Sequence, residues 1–139
     1  MVKWMELILI ATTKEVAPGA SQALFKPLKV AKTDARVTVG TSKWASSKIL
    51  LSAAKYGFPK GVEASEQFDR DLERAFVDAA SWLVERPVSA FAEVRAKGIR
   101  LQGLLVFEMD QDQMEFDIPP ELLLRLGERG IPLHMISND

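Results

Sequence analysis

Between Leu104 and Ile136 almost every residue belongs to a recognisable element. An apolar run, Leu104-Leu105-Val106-Phe107-Glu108-Met109, reaches a polar turn. An alternating segment, Met114-Glu115-Phe116-Asp117-Ile118, leads into a leucine-rich helix, and Ile131-Pro132-Leu133-His134-Met135-Ile136 closes the series. So tight a succession of short apolar runs and turn signals admits few arrangements: strands and helices must share one core. The pattern predicts a strand over 99–109, a hairpin loop at Asp110-Gln111-Asp112-Gln113 and a return strand over 114–118. In that strand Met114, Phe116 and Ile118 face one side, and Glu115 and Asp117 the other. Pro119-Pro120-Glu121 opens a helix, Leu122, Leu123 and Leu126 give its buried face, and Arg129-Gly130 ends it. Pro132 makes the last strand an edge or marks its start.

The front of the chain reads more sparsely. Trp4-Met5-Glu6-Leu7-Ile8-Leu9-Ile10-Ala11 predicts an opening strand, central in its sheet and buried on both faces, that stops at Thr12-Thr13-Lys14. Residues 16–33, with Pro18, Gly19 and Pro27, read as a loop that includes one short helix near 21–26. Ala35 to Gly40 and Ser47 to Ala53 read as two strands or one bent strand, and Tyr56 to Gly61 as a loop. Phe68, Leu72, Phe76, Ala79 and Leu83 recur at spacings of three and four, predicting the main helix from an N-cap at Ser65 to Glu85. Pro87 ends it. A shorter helix, capped by Ser89 and closed by Lys97-Gly98, follows. Residues 1–139 thus read as one α+β domain, a mixed or antiparallel sheet with two to three helices packed mainly on one face and the 120–129 helix near an edge.

Composition narrows the setting. Hydrophobic residues make up 47% and charged residues 27%, values that fit a folded globular chain without a membrane span. The apolar run after Met1 is interrupted by Glu6 and is too short for a secretory signal. No cysteine is present, which excludes disulfides, thiolate nucleophiles and thiolate metal sites and fits a cytoplasmic protein. The net charge of −1 hides an asymmetry: residues 1–62 carry +7 and residues 63–139 carry −8. Such a split points to a partner of opposite charge for one half, unless the halves interleave in space and cancel.

No catalytic constellation is visible. His134 is the only histidine, and in an apolar strand it lacks the partners a working imidazole needs. Asp110, Asp112, Glu115, Asp117 and Glu121 follow one another without an intervening Lys or Arg, but Met114 and Glu115 break the ligand and glycine positions of a calcium loop. Three readings remain for this row: a solvated turn, a carboxylate-based enzyme or ligand-binding site, and a face that steers a basic protein partner. The third would suit an inhibitor of a nucleic-acid-cleaving toxin. No metal or cofactor is implied. Gly40-Thr41-Ser42-Lys43 lacks the earlier glycine of a phosphate loop. Nucleic-acid binding through Lys26, Lys29, Lys32, Arg36 and Trp44 is the weaker alternative, because these basic residues are not interleaved with several aromatics. Oligomeric state is not legible.

The segment from Phe116 through Pro119-Pro120-Glu121-Leu122-Leu123 to Gly130-Ile131-Pro132-Leu133-His134-Met135 resembles the end of a bacterial family of small domains of unknown function. In that family a strand, a Pro/Ser-Glu-Leu-Leu helix start, a glycine and a short hydrophobic strand close the domain. Thr41-Ser42-Lys43-Trp44-Ala45-Ser46-Ser47 looks like its mid-chain tryptophan strand. The resemblance implies a compact α+β fold with no known catalytic residues, and some relatives look like immunity genes beside bacterial toxins. The expectation is a non-catalytic, protein-binding domain whose acidic row meets a basic toxin.

Overall fold

A computed structural model describes residues 4–13, 27–29, 35–39, 45–55, 62–108 and 116–138. Its elements are β1 (Trp4–Thr13), β2 (Ala35–Val39), β3 (Ala45–Lys55), α1 (Val62–Val84), α2 (Val88–Ala96), β4 (Arg100–Glu108), α3 (Pro120–Glu128) and β5 (Leu133–Asn138). The strands form one mixed sheet in the order β2-β3-β1-β4-β5, so the opening strand lies at its centre, as expected. β1 runs antiparallel to both β3 and β4, while β5 lies parallel to β4. A parallel neighbour needs a crossover, and α3 supplies it.

The sheet has two unlike faces. Along β1, Met5, Leu7, Leu9 and Ala11 are buried, whereas Glu6, Ile8, Ile10 and Thr12 are half-buried. The strand is therefore buried on one face and not on both. Ile49 and Ala54 of β3 and Leu101 and Leu105 of β4 join the buried set. A bulge in β3, where Leu7 pairs with Ser52 and Ile8 with Leu50, keeps Ile49 and Ala54 on the same side. Against that face pack Phe68, Leu72, Phe76, Ala79 and Leu83 of α1, Phe91 and Val94 of α2, and Leu122 and Leu126 of α3.

Several boundaries differ from expectation. α1 starts at Val62, three residues ahead of Ser65. α2 starts after Pro87, whose extended φ of −68° and ψ of 151° make it the cap without a side-chain bond, so Ser89 lies inside the helix. Leu123 is exposed, because in so short a helix the buried stripe is filled by the i, i+4 pair Leu122 and Leu126. Most important, residues 116–118 are not a strand. β4 is flanked by β1 and β5, which leaves no edge for a hairpin partner. The expected short helix near 21–26, the loop at 56–61 and Trp44 lie outside the described residues.

Three arginines tie the helix ends together. The Arg86 guanidinium donates from Nε to the Leu28 carbonyl at 2.7 Å and from Nη1 to the Trp82 carbonyl at 2.8 Å, and lies 3.6 Å from the Trp82 ring centroid. Burial pushes its pKa down, with Glu85 pulling the other way. Arg129, only 4% exposed, donates from Nη2 to the Arg86 carbonyl at 2.9 Å and from Nη1 to the Arg125 carbonyl at 3.2 Å. Arg95 in turn donates to the Arg129 carbonyl. Each cation thus sits at a helix C-terminus, where orphan carbonyls and the helix dipole favour positive charge.

Candidate partner-binding groove

The segment 116–119, which leads into α3, packs against α1 instead of extending the sheet. Phe116 anchors it, with its ring centroid 6.1 Å from that of Phe76 and 5.5 Å from that of Phe107, the latter edge-on at 81°. The alternation read in the sequence survives without a strand: Phe116 and Ile118 are half-buried and Asp117 is exposed. Pro119 and Pro120 then turn the chain into α3, with Pro120 in the first helical turn.

This contact creates a groove on the outer side of the helix layer. A depression of about 400 Å³ lies among Asp69, Leu72, Glu73, Phe76, Phe116, Asp117 and Pro119. A second, about 540 Å³, runs on between α1 and α3, sharing Phe76 and Pro119 with the first and reaching Val77, Val84, Glu121 and Arg125. The floor is aromatic and aliphatic. The rim of the first depression carries three carboxylates and no cation. Asp69 and Glu73, one turn apart, project from the same face of α1 toward Asp117. None of the three is ion-paired to a described residue.

The second depression is less acidic, because Arg125 lines it together with Glu85 and Glu121. Arg125 donates from Nε to Glu121 at 2.8 Å and from Nη1 to Glu128 at 3.2 Å, and these bonds raise its pKa. Negative charge is therefore concentrated at the Asp69, Glu73 and Asp117 end.

Of the five carboxylates singled out in the sequence, Asp117 and Glu121 line this groove, one in each depression. Asp110, Asp112 and Glu115 lie outside the described residues. Asp69 and Glu73 escape a sequence reading as site residues because charged residues on the outer face of an amphipathic helix are the ordinary pattern. The available signal is their i, i+4 spacing beside the apolar Leu72 and Phe76.

No group of three or more metal-binding side chains converges among the described residues. His134 is exposed on β5, in register with Leu104, and the sheet separates it from the groove. Of the basic residues considered for nucleic acid, Lys29 is exposed and Arg36 belongs to β2, while Lys26, Lys32 and Trp44 lie outside the described residues. No helix among the described residues is long and apolar enough to cross a membrane. No family model matches the chain, and no curated protein or solved structure matches it either.

Proposed function

We propose that this protein is a non-catalytic binding domain that holds a basic, apolar-anchored segment of a partner protein in the groove between α1 and α3, as a cytoplasmic immunity-type inhibitor would hold its toxin. The observation that carries the reading is the pairing of an apolar floor, Phe76 and Phe116, with three carboxylates that have no cation partner among the described residues. An aromatic floor supplies affinity by excluding water, and a rim of one charge supplies orientation and encounter rate. A lysine or arginine side chain fits both demands, with its methylenes on the floor and its charge at the rim. The resemblance of the Phe116 to Met135 segment to small bacterial domains, some beside toxin genes, supports the same partner class.

Titration calorimetry of the protein against the product of its neighbouring gene tests this. Binding is expected to weaken with added salt and to fall by about a hundredfold when Asp69→Asn, Glu73→Gln and Asp117→Asn are combined, since rim charge pairs are each worth up to about 1 kcal/mol. Unchanged affinity in the triple variant would overturn the groove assignment.

A further inference from the structure

The described helices α1, α2 and α3 pack on one face of the sheet. On the other, Ile8, Leu104 and Val106 are half-buried, Leu50 is 50% exposed and Ile136 is 39% exposed. Register places them side by side: Leu50, Ile8 and Leu104 lie in one row across β3, β1 and β4, and Val106 with Ile136 in the next. His134 continues the central row on β5, and charge of opposite sign flanks that row on its two sides. Glu6 lies in the row of Val106 and Ile136, with Glu108, which also accepts from the Trp4 indole, one row further, whereas Lys48 lies one row to the other side of Leu50 and Arg100 one row beyond it. Arg100 and Glu108 stand equally far from Leu104 along β4.

We propose that this face is the interface of a homodimer, two copies packing sheet to sheet about a two-fold axis that passes across the strands at Leu104 and Ile8. That axis reverses strand direction between copies, so Leu104 meets its own equivalent and Glu108 of each copy meets Arg100 of the other. The alternative axis, along the strands, sets acidic end on acidic end and is disfavoured by like-charge contact. Isologous symmetry requires a self-complementary patch, and an apolar centre with opposite charges at equal distances on either side is one. The size is also sufficient. Strands spaced about 4.8 Å apart and central strands roughly 30 Å long make a face of roughly 700 Å² per copy before side-chain relief is counted. A standard interface buries roughly 800 Å² per partner. Packed sheets lie about 10 Å apart, within reach of a glutamate and an arginine extended toward each other. The groove lies beyond the opposite face and stays open in the dimer.

Sedimentation equilibrium on the intact protein tests the proposal, with circular dichroism confirming that each variant folds. The parent chain is expected to dimerise with a micromolar or tighter Kd, and Leu50→Glu to be monomeric. Arg100→Glu and Glu108→Arg each set like charges opposite one another in both contacts and are expected to weaken self-association by about tenfold or more. Mixing these two variants makes every contact complementary again and is expected to restore the dimer as a heterodimer, which no loss of fold could mimic. A monomeric parent chain overturns the proposal, as does a dimer that Leu50→Glu leaves intact or a pair of swaps that fails to recombine.

Discussion

β1 and β4 present two faces made from alternating residues of the same strands, yet the two have different fates. Leu105 on the covered face is fully buried beneath the helices, while Leu104, one residue earlier, is half-buried on the open face. Both are leucine, in one strand, with the same neighbour β1. The difference teaches that apolar character alone does not say which side of a sheet is the core; what matters is which side the helices reach. Leu105→Ala should cost about 3 kcal/mol, the transfer loss plus the cavity left in a packed interior. Leu104→Ala should cost about 1 kcal/mol in dilute solution. Urea denaturation of the two variants measures the contrast, and equal costs would mean that the open face is also covered.

On the covered face the helix ends are also tethered to one another. Arg129 links the carbonyls of Arg86 and Arg125 across α1 and α3. Arg129→Met keeps the apolar stem but leaves those carbonyls without a donor in a buried place. It is expected to cost about 2 kcal/mol, the scale for a buried polar group left unpaired. The same urea melts would show it, and a cost near zero would mean that water replaces the guanidinium.

Part of this was legible in the sequence. The Phe68 to Leu83 stripe carries the helical period, and α1 formed with its core where the pattern put it. The position of β1 at the centre of the sheet was legible too, but its unbroken apolar run read as buried on both faces, and only Met5, Leu7, Leu9 and Ala11 are. Misreadings arose where a local signal had two outcomes. Phe116-Asp117-Ile118 alternates as a strand does, but a segment pinned by one aromatic ring over a helix alternates in the same way. Only the occupancy of both edges of β4, a property of the whole sheet, separates them. Ser65 is a good cap residue, yet Val62-Glu63-Ala64 ahead of it includes strong helix formers, so a cap residue marked no start. The arginine relay joins positions 28, 86, 95 and 129, and no periodicity links them. The acidic site was half legible: Asp117 and Glu121 belong to a row visible in the sequence, while Asp69 and Glu73 come from a helix far away along the chain.

Two glycines around the end of α3 sharpen the comparison between tethered and free surface. Gly130 has φ +65°, and a Cβ there would lie 2.8 Å from Nη1 of Arg95, the group that donates to the Arg129 carbonyl. Gly130→Ala therefore combines a left-handed backbone with displacement of the tether, and is expected to cost about 1 to 2 kcal/mol. At Gly127, inside α3, a Cβ would meet nothing within 4 Å. There Gly127→Ala should stabilise by about 0.5 to 1 kcal/mol through helix propensity and a less free unfolded chain. Thermal melts should move in opposite directions, and parallel shifts would show that position 130 is not constrained by Arg95.

The smallest effect is expected at the groove rim, and its smallness is what makes it informative. Asp69, Glu73 and Asp117 line an open depression, none has a cation partner among the described residues, and all are exposed. Removing an exposed charge that makes no bond changes stability by about 0.5 kcal/mol or less. Three like charges around one depression repel one another, so Asp117→Asn should raise stability slightly, and added salt should shrink that gain by screening. A destabilised Asp117→Asn would show instead that the carboxylate holds the Phe116 segment in place. A small stabilisation beside a large loss of partner binding is the pattern of a residue kept for recognition at the expense of the fold.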